Sequence, residues 1–122
     1  MLKNARDFAE SVFSAIDAQN SAEFVALLDP DAVFIFSNAP PVHGSSAIRE
    51  AADRFFDAIT ALRHELDKVW HINDFIICRL SVTYTARDGR VLQLPAATIW
   101  QVTGDKITDY RVYIDNSPLF AG

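Results

Sequence analysis

A chain of 122 residues, half of them hydrophobic and 22% charged, is long enough to bury one core without disulfides or metal. Its net charge of −5 excludes a surface built to displace counterions from nucleic acid and gives no basic handle to an anionic membrane. Cys78 has no second cysteine to pair with, no apolar run approaches a membrane span, and the first residues lack the apolar stretch of a secretory signal, so one domain over 1–122 in the cytoplasm is expected.

Ala5, Phe8, Ala9, Val12, Phe13 and Ile16 recur at spacings of three and four, which predicts a first helix. Asn20 followed by Glu23 reads as a capping box opening a second, short helix that turns Phe24, Leu27 and Leu28 inward. Pro30 is expected to stop it, ahead of a β-rich run over 32–36. After Pro40-Pro41, Gly44-Ser45-Ser46 supplies a turn and an N-cap. A third helix follows with Ile48, Ala51, Ala52, Phe55 and Ile59 as its stripe. From Arg63 the period changes to two. Four strands are predicted near 63–72, 75–86, 90–102 and 106–115, joined by Asn73-Asp74, Arg87-Asp88-Gly89 and Gly104-Asp105.

The strand parities carry the most information. Even positions hold Phe34, Phe36, Leu66, Trp70 and Ile72, then Ile76 through Tyr84, Leu92 through Val102, and Tyr110, Val112 and Ile114. Odd positions hold Glu65, Asp67, Arg79, Gln93, Gln101, Asp109, Arg111 and Asp115. Neighbouring side chains on a strand face opposite ways, so the even set marks the face that helices cover. The expected class is α+β: three N-terminal helices packed on a curved antiparallel sheet.

Asp31-Ala32-Val33 after Leu-Leu-Asp, the run from Gly44 to Glu50, Gly104-Asp105-Lys106-Ile107 with Asp109 to Asp115, and the closing Ser117-Pro118-Leu119-Phe120 come in a telling order. Together they resemble the nuclear transport factor 2-like superfamily, in its SnoaL-like and ketosteroid isomerase-like branch. The resemblance spans the whole chain and implies a cone-shaped α+β barrel, a small hydrophobic ligand and a homodimer through the outer sheet face. It does not fix the activity, because the superfamily holds isomerases, cyclases, dehydratases, epoxide hydrolases and non-enzymatic modules. Placed by this resemblance, the isomerases' phenolic donor falls near Val12 and their carboxylate base near Phe36. Their protonated acid falls at Ala97 or Thr98, and the aspartate of SnoaL-type cyclases near Val112, or at Arg111 or Tyr113 with a slip of one. No carboxylate stands at any of them.

Proton transfer at carbon needs a base and a donor for the developing oxyanion. His64 is the titratable candidate of inward parity, with Tyr110 as donor and Thr98 to orient a carbonyl or water; its alternative is structural, a strand-end histidine bonding a backbone carbonyl. Asp115 ends its strand, where a bulge would turn its carboxylate toward a pocket mouth. Phe34, Phe36, Trp70, Thr98, Trp100, Val112 and Ile114 are the expected substrate-binding wall, which in sequence alone is equally a filled aromatic core.

Lys68 is expected to reach the rim, His71 to face outward, and Cys78 to be an inert buried thiol. His43, His64 and His71 lie at unrelated spacings, so no metal is expected. No Gly-rich phosphate loop occurs and no cofactor is expected. Ile77, Val91 and Ile99 among the charges of the outer face favour pairing of two copies. Three functional readings follow: an isomerase- or cyclase-like protein for a hydrophobic carbonyl compound, a non-catalytic dimeric module, and a hydrolase or dehydratase with water held by Asp115 and Arg111.

Overall fold

A computed structural model describes residues 4–120. The chain order is α1 (Ala5–Asp17), α2 (Ser21–Ala26), β1 (Leu28–Phe36), β2 (Val42–His43), α3 (Ser45–Asp57), β3 (Ile59–Ile72), β4 (Phe75–Ala86), β5 (Val91–Thr103), β6 (Lys106–Ile114) and α4 (Ser117–Phe120). The helices cover one face of a curved, unclosed six-stranded sheet of order β2-β1-β6-β5-β4-β3. β3 to β6 form the expected antiparallel meander. β1 departs from it: it runs parallel to β6, so the sheet is mixed.

Local chemistry accounts for the helix ends. The Asn4 side chain accepts the Asp7 N–H at 3.0 Å and starts α1, whose stripe buries Ala9, Val12, Phe13 and Ala15. Asn20 caps α2 through the Glu23 N–H at 3.0 Å, and its amide donates to the Glu23 carboxylate at 3.2 Å. Two expectations need correction. Pro30 does not stop α2, which ends at Ala26; it lies inside β1, where the pairing with β6 shifts register between Leu28 and Val33 and a missing N–H is tolerated. The third helix is capped within the expected Gly44-Ser45-Ser46 turn, by Gly44 at φ 89° with no serine side chain bonded to its first turn, but it ends at Asp57, so Ile59 opens β3 and does not belong to its stripe. Gly44 also donates its N–H to the Ala32 carbonyl at 2.8 Å, which ties the helix start to β1.

The even positions of β4 and β5 face inward, fully buried from Ile76 to Ala86 and from Ala96 to Val102. β3 follows the same parity only as far as Leu66, opposite Leu80. A bulge at Asp67 then inserts one residue, so Val69 stands opposite buried Cys78 while Trp70 pairs with Ile77 on the outer face. Trp70 is therefore not an inward residue, and neither is Ile72, half exposed at the strand end. His71 takes the parity of buried Ile76 instead of facing outward, although its strand-end position leaves it exposed. A second irregularity, at Thr108, seats both Ile107 and Tyr110 in the core.

Trp100, fully buried, anchors this core: its ring lies 5.4 Å from Phe13, 6.1 Å from Phe8 and 5.2 Å from Tyr110. Burial pushes the Cys78 thiol from 9.0 up to about 11. Burial, with the Asp17 charge adding, pushes the Tyr84 phenol from 10.0 up to about 12. Both groups hold their protons more tightly folded than unfolded, so the stability they contribute is complete below pH 9 and is lost as pH rises toward 12. Each shift corresponds to about 2 to 3 kcal/mol once the group ionises. The urea midpoint is expected to fall steeply from pH 9 to 11, and less steeply in Cys78→Ala. A flat midpoint over that range would show that neither group is held in a dry core.

Candidate functional site

Between the helices and the inner face of the sheet lies an apolar cavity of about 500 Å³. β1 contributes Phe34 and Phe36, α3 contributes Ala51, Ala52 and Phe55, and the far wall is Leu80, Val82 and Tyr84 of β4 with Ala96 of β5. The exposed loop residues Ala39, Pro40 and Pro41 border it, as does Arg54 of α3. The space persists because small side chains at 51, 52 and 96 face rings that brace one another. Phe34 and Phe36 stack at 6.4 Å, and Phe55 meets Phe36 and Tyr84 at 5.9 Å each.

Phe34, Phe36, His64, Thr98, Tyr110, Val112 and Ile114 all line this cavity. Three of the expected residues do not. Trp100 lies behind the wall, in the core. Trp70 is carried to the outer face by the bulge at Asp67, where Lys68 Nζ and the Arg79 guanidinium lie 5.3 and 5.5 Å from its ring. Asp115 is exposed and spends its carboxylate on the Ser117 N–H at 3.1 Å and the Ser117 hydroxyl at 2.7 Å, next to α4. Arg111 bonds Asp109 on the outer face. Neither Asp115 nor Arg111 borders the cavity, so hydrolysis through them has no support there.

The decisive group is His64. It sits within β3, not at its end, with its side chain 10% exposed. Its Nδ1 lies 2.5 Å from Asp17 Oδ1, and its backbone N–H donates to Asp17 Oδ2 at 2.9 Å. The Phe13 ring stacks on the imidazole at 4.7 Å. A carboxylate only accepts, so in the neutral ring this pairing puts the proton on Nδ1 and makes Nε2 the acceptor. The partner is thus a carboxylate and not the backbone carbonyl of the structural alternative.

Asp17 escaped the strand-by-strand reading because it comes from the last residue of α1. The available signal was its place four residues after Phe13, on the flank of the apolar stripe. His64 and Asp17 also border a second, polar pocket of about 250 Å³ with Arg6, Glu10 and Ser14.

Apart from Arg54 at the border, the remaining polar wall is neutral. Burial raises the Tyr110 phenol well above its ordinary value, so it remains a neutral donor. Thr98 is 2% exposed and its Oγ1 has no hydrogen-bond partner. A buried orphan hydroxyl on a cavity wall marks a place for a ligand or a water. Among the described residues no group of three or more His, Cys, Asp or Glu side chains converges to hold a metal, and no helix is long and apolar enough to cross a membrane.

Residues 9–110 match the SnoaL-like domain. The chain belongs to that family. No curated protein matches this SnoaL-like domain at a significant level. Solved structures match its fold at low identity. A nuclear transport factor 2-like protein of unknown function from Burkholderia pseudomallei K96243 shares 16% identity, with 98% of this chain and 96% of that one covered and a TM-score of 0.85. TerC, co-crystallised with polyporic acid, shares 11% identity over 95% of each chain with a TM-score of 0.84. A ketosteroid isomerase-like protein from Catenulispora acidiphila DSM 44928, in complex with trimethylamine, shares 16% identity over 88% of this chain and 84% of that one, with a TM-score of 0.82. The SnoaL-like domain thus has a nuclear transport factor 2-like fold, the cavity wall at Phe36, Thr98 and Val112 carries no carboxylate, and its acid stands behind His64.

Replacing Asp17 with Ala leaves the two His64 donors without acceptors and is expected to cost about 1 to 3 kcal/mol in urea unfolding. Nitrogen-15 spectra of the neutral ring should show Nδ1 protonated in the native protein and a mixture of tautomers in Asp17→Ala. A native ring protonated on Nε2 alone would contradict this arrangement.

Proposed function

We propose that this SnoaL-like domain binds a flat hydrophobic carbonyl compound in the cavity and catalyses proton transfer on it, in the manner of an isomerase or cyclase. The observation that carries the reading is the Asp17–His64 pair set into an otherwise apolar wall. His64 Nε2 takes a proton from the carbon next to the carbonyl, and Asp17 orients the ring and offsets the charge it gains. Electrons from the broken C–H bond move onto the carbonyl oxygen, where the Tyr110 and Thr98 hydroxyls donate to the enolate. Return of the proton to a different carbon completes an isomerisation. TerC, which shares this fold, is co-crystallised with polyporic acid, which supports a small-molecule ligand here. A cytoplasmic setting suits the single buried thiol.

Thermal-shift screening against steroids, polyketides and fatty acids is expected to find ligands that raise Tm. Val112→Trp, which fills the cavity, should abolish the shift. On a substrate found this way, His64→Ala is expected to lower kcat by about 10²- to 10⁴-fold while the fold survives. Unchanged turnover would end the catalytic reading. Silence across the whole screen would favour a non-catalytic module.

That second reading, and homodimer formation in either case, draws support from the outer sheet face. Trp70, Ile77, Ile99, Arg111 and Ile35 stand side by side on adjacent strands, an apolar row broken by one charge, with exposed Tyr113 on the same face. Ile99→Glu at the centre of this row is expected to turn a dimer into a monomer in sedimentation velocity. A wild-type protein that sediments as a monomer removes the proposal.

A further inference from the structure

The cavity wall has one full positive charge at its mouth. Arg54, in the last turn of α3, borders the cavity beside the exposed Pro40-Pro41 loop. The other lining residues are apolar, apart from neutral Thr98, Tyr84 and Tyr110 and the paired His64. Most arginines of this acidic chain are engaged. Arg6, Arg63, Arg79, Arg90 and Arg111 pair with carboxylates, and Arg87 bonds the Asp57 carbonyl. Among the described residues Arg54 makes no ion pair and no side-chain hydrogen bond, although Glu50 and Asp57 lie one turn to either side on the same helix. Arg49 is equally unpaired but does not border the cavity.

We propose that Arg54 selects ligands with an anionic head, a carboxylate or sulfonate, whose flat apolar body occupies the cavity. The proposal rests on the cavity-binding reading above and specifies its ligand class. An anion placed deeper would meet apolar wall, the neutral hydroxyls of Thr98, Tyr84 and Tyr110 and the Asp17-paired histidine, with no free cation to offset the hydration it loses. At the mouth the anion keeps part of its water and gains a forked donor suited to planar or tetrahedral oxyanions. The rings then lie against Phe34, Phe36 and Phe55, within the same space as His64.

Two dyes that differ by one charged group test this: 8-anilinonaphthalene-1-sulfonate and its neutral parent N-phenyl-1-naphthylamine, both titrated by fluorescence. The sulfonate is expected to bind more tightly than the neutral dye. Arg54→Gln should weaken the sulfonate about three- to tenfold, as expected for a rim charge, and leave the neutral dye unchanged. Arg54→Lys should recover part of the loss, and added salt should narrow the gap between the dyes. Arg54 is exposed, so its variants keep the core intact, while Val112→Trp should remove both dyes and so place them in the cavity. Equal binding of the two dyes, or indifference of the sulfonate to Arg54→Gln, overturns the proposal and leaves the cavity reading standing. Failure of both dyes to bind, or binding that survives Val112→Trp, overturns the cavity reading and this inference with it.

Discussion

The arrangement depends on how α1 is fastened to β3. Asp17 at the end of the helix holds both the backbone and the ring of His64, and Arg6 at its start donates to the carbonyls of Leu66 and Asp67, at 3.1 and 3.4 Å. Just past the helix, the Gln19 amide reaches the Thr60 carbonyl at 3.3 Å. Between these anchors Val12 and Phe13 close the core against Trp100. The helix is thus held over the strand by directional bonds, with apolar packing filling the gap. Directional bonds specify one position, whereas apolar packing alone accepts several. Position matters here because the ring stacked on Phe13 borders both the cavity and the polar pocket.

The Arg6 contacts fall on the β3 bulge. Inserting Asp67 there frees carbonyls from regular pairing and turns the remainder of the strand over, sending Trp70 outward. One local event thereby fastens the helix, gives the outer face its aromatic ring, and leaves the inner side of the strand beyond Leu66 to the smaller Val69.

How much of this was legible follows the same line. On β4 and β5 the alternation runs unbroken, and parity alone gives the buried face from Ile76 to Val102. The third helix as far as Phe55 and the Asn20 cap are equally plain in the spacing, whereas Ile59, which continues the same spacing, opens β3. Parity fails wherever a residue is inserted, because one extra residue reverses every side chain beyond it, and nothing in Leu66-Asp67-Lys68 announces the insertion. Pro30 reads as a helix stop because the register shift that lets it sit in β1 is a property of the β1–β6 pair. Asp17 was hidden for a related reason: its role depends on which strand passes beneath a helix end, and that is decided by packing across 47 residues of sequence. An open cavity was illegible too. Phe34, Phe36 and Tyr110 have the same hydrophobicity filled or unfilled; the void depends on which alanines face which rings.

The position of the acid has a chemical consequence. A carboxylate placed directly on an apolar wall would be desolvated and driven toward its neutral form, losing the charge it needs as a base. Here Asp17 stands 24% exposed beside a polar pocket, and its influence reaches the dry side through an imidazole that borders both spaces. In the proposed proton transfer the base offered to the cavity is a neutral imidazole, which costs less to keep out of water than a carboxylate. The carboxylate lies 2.5 Å from Nδ1, placed to offset a charge gained at the ring. The same ring and carboxylate also border the polar pocket with Glu10 and Ser14, so the proposed chemistry would have a polar side from which to exchange the proton. An aspartate on the strand face provides none of this separation, so the absence of carboxylates from the inner wall is compatible with acid–base chemistry.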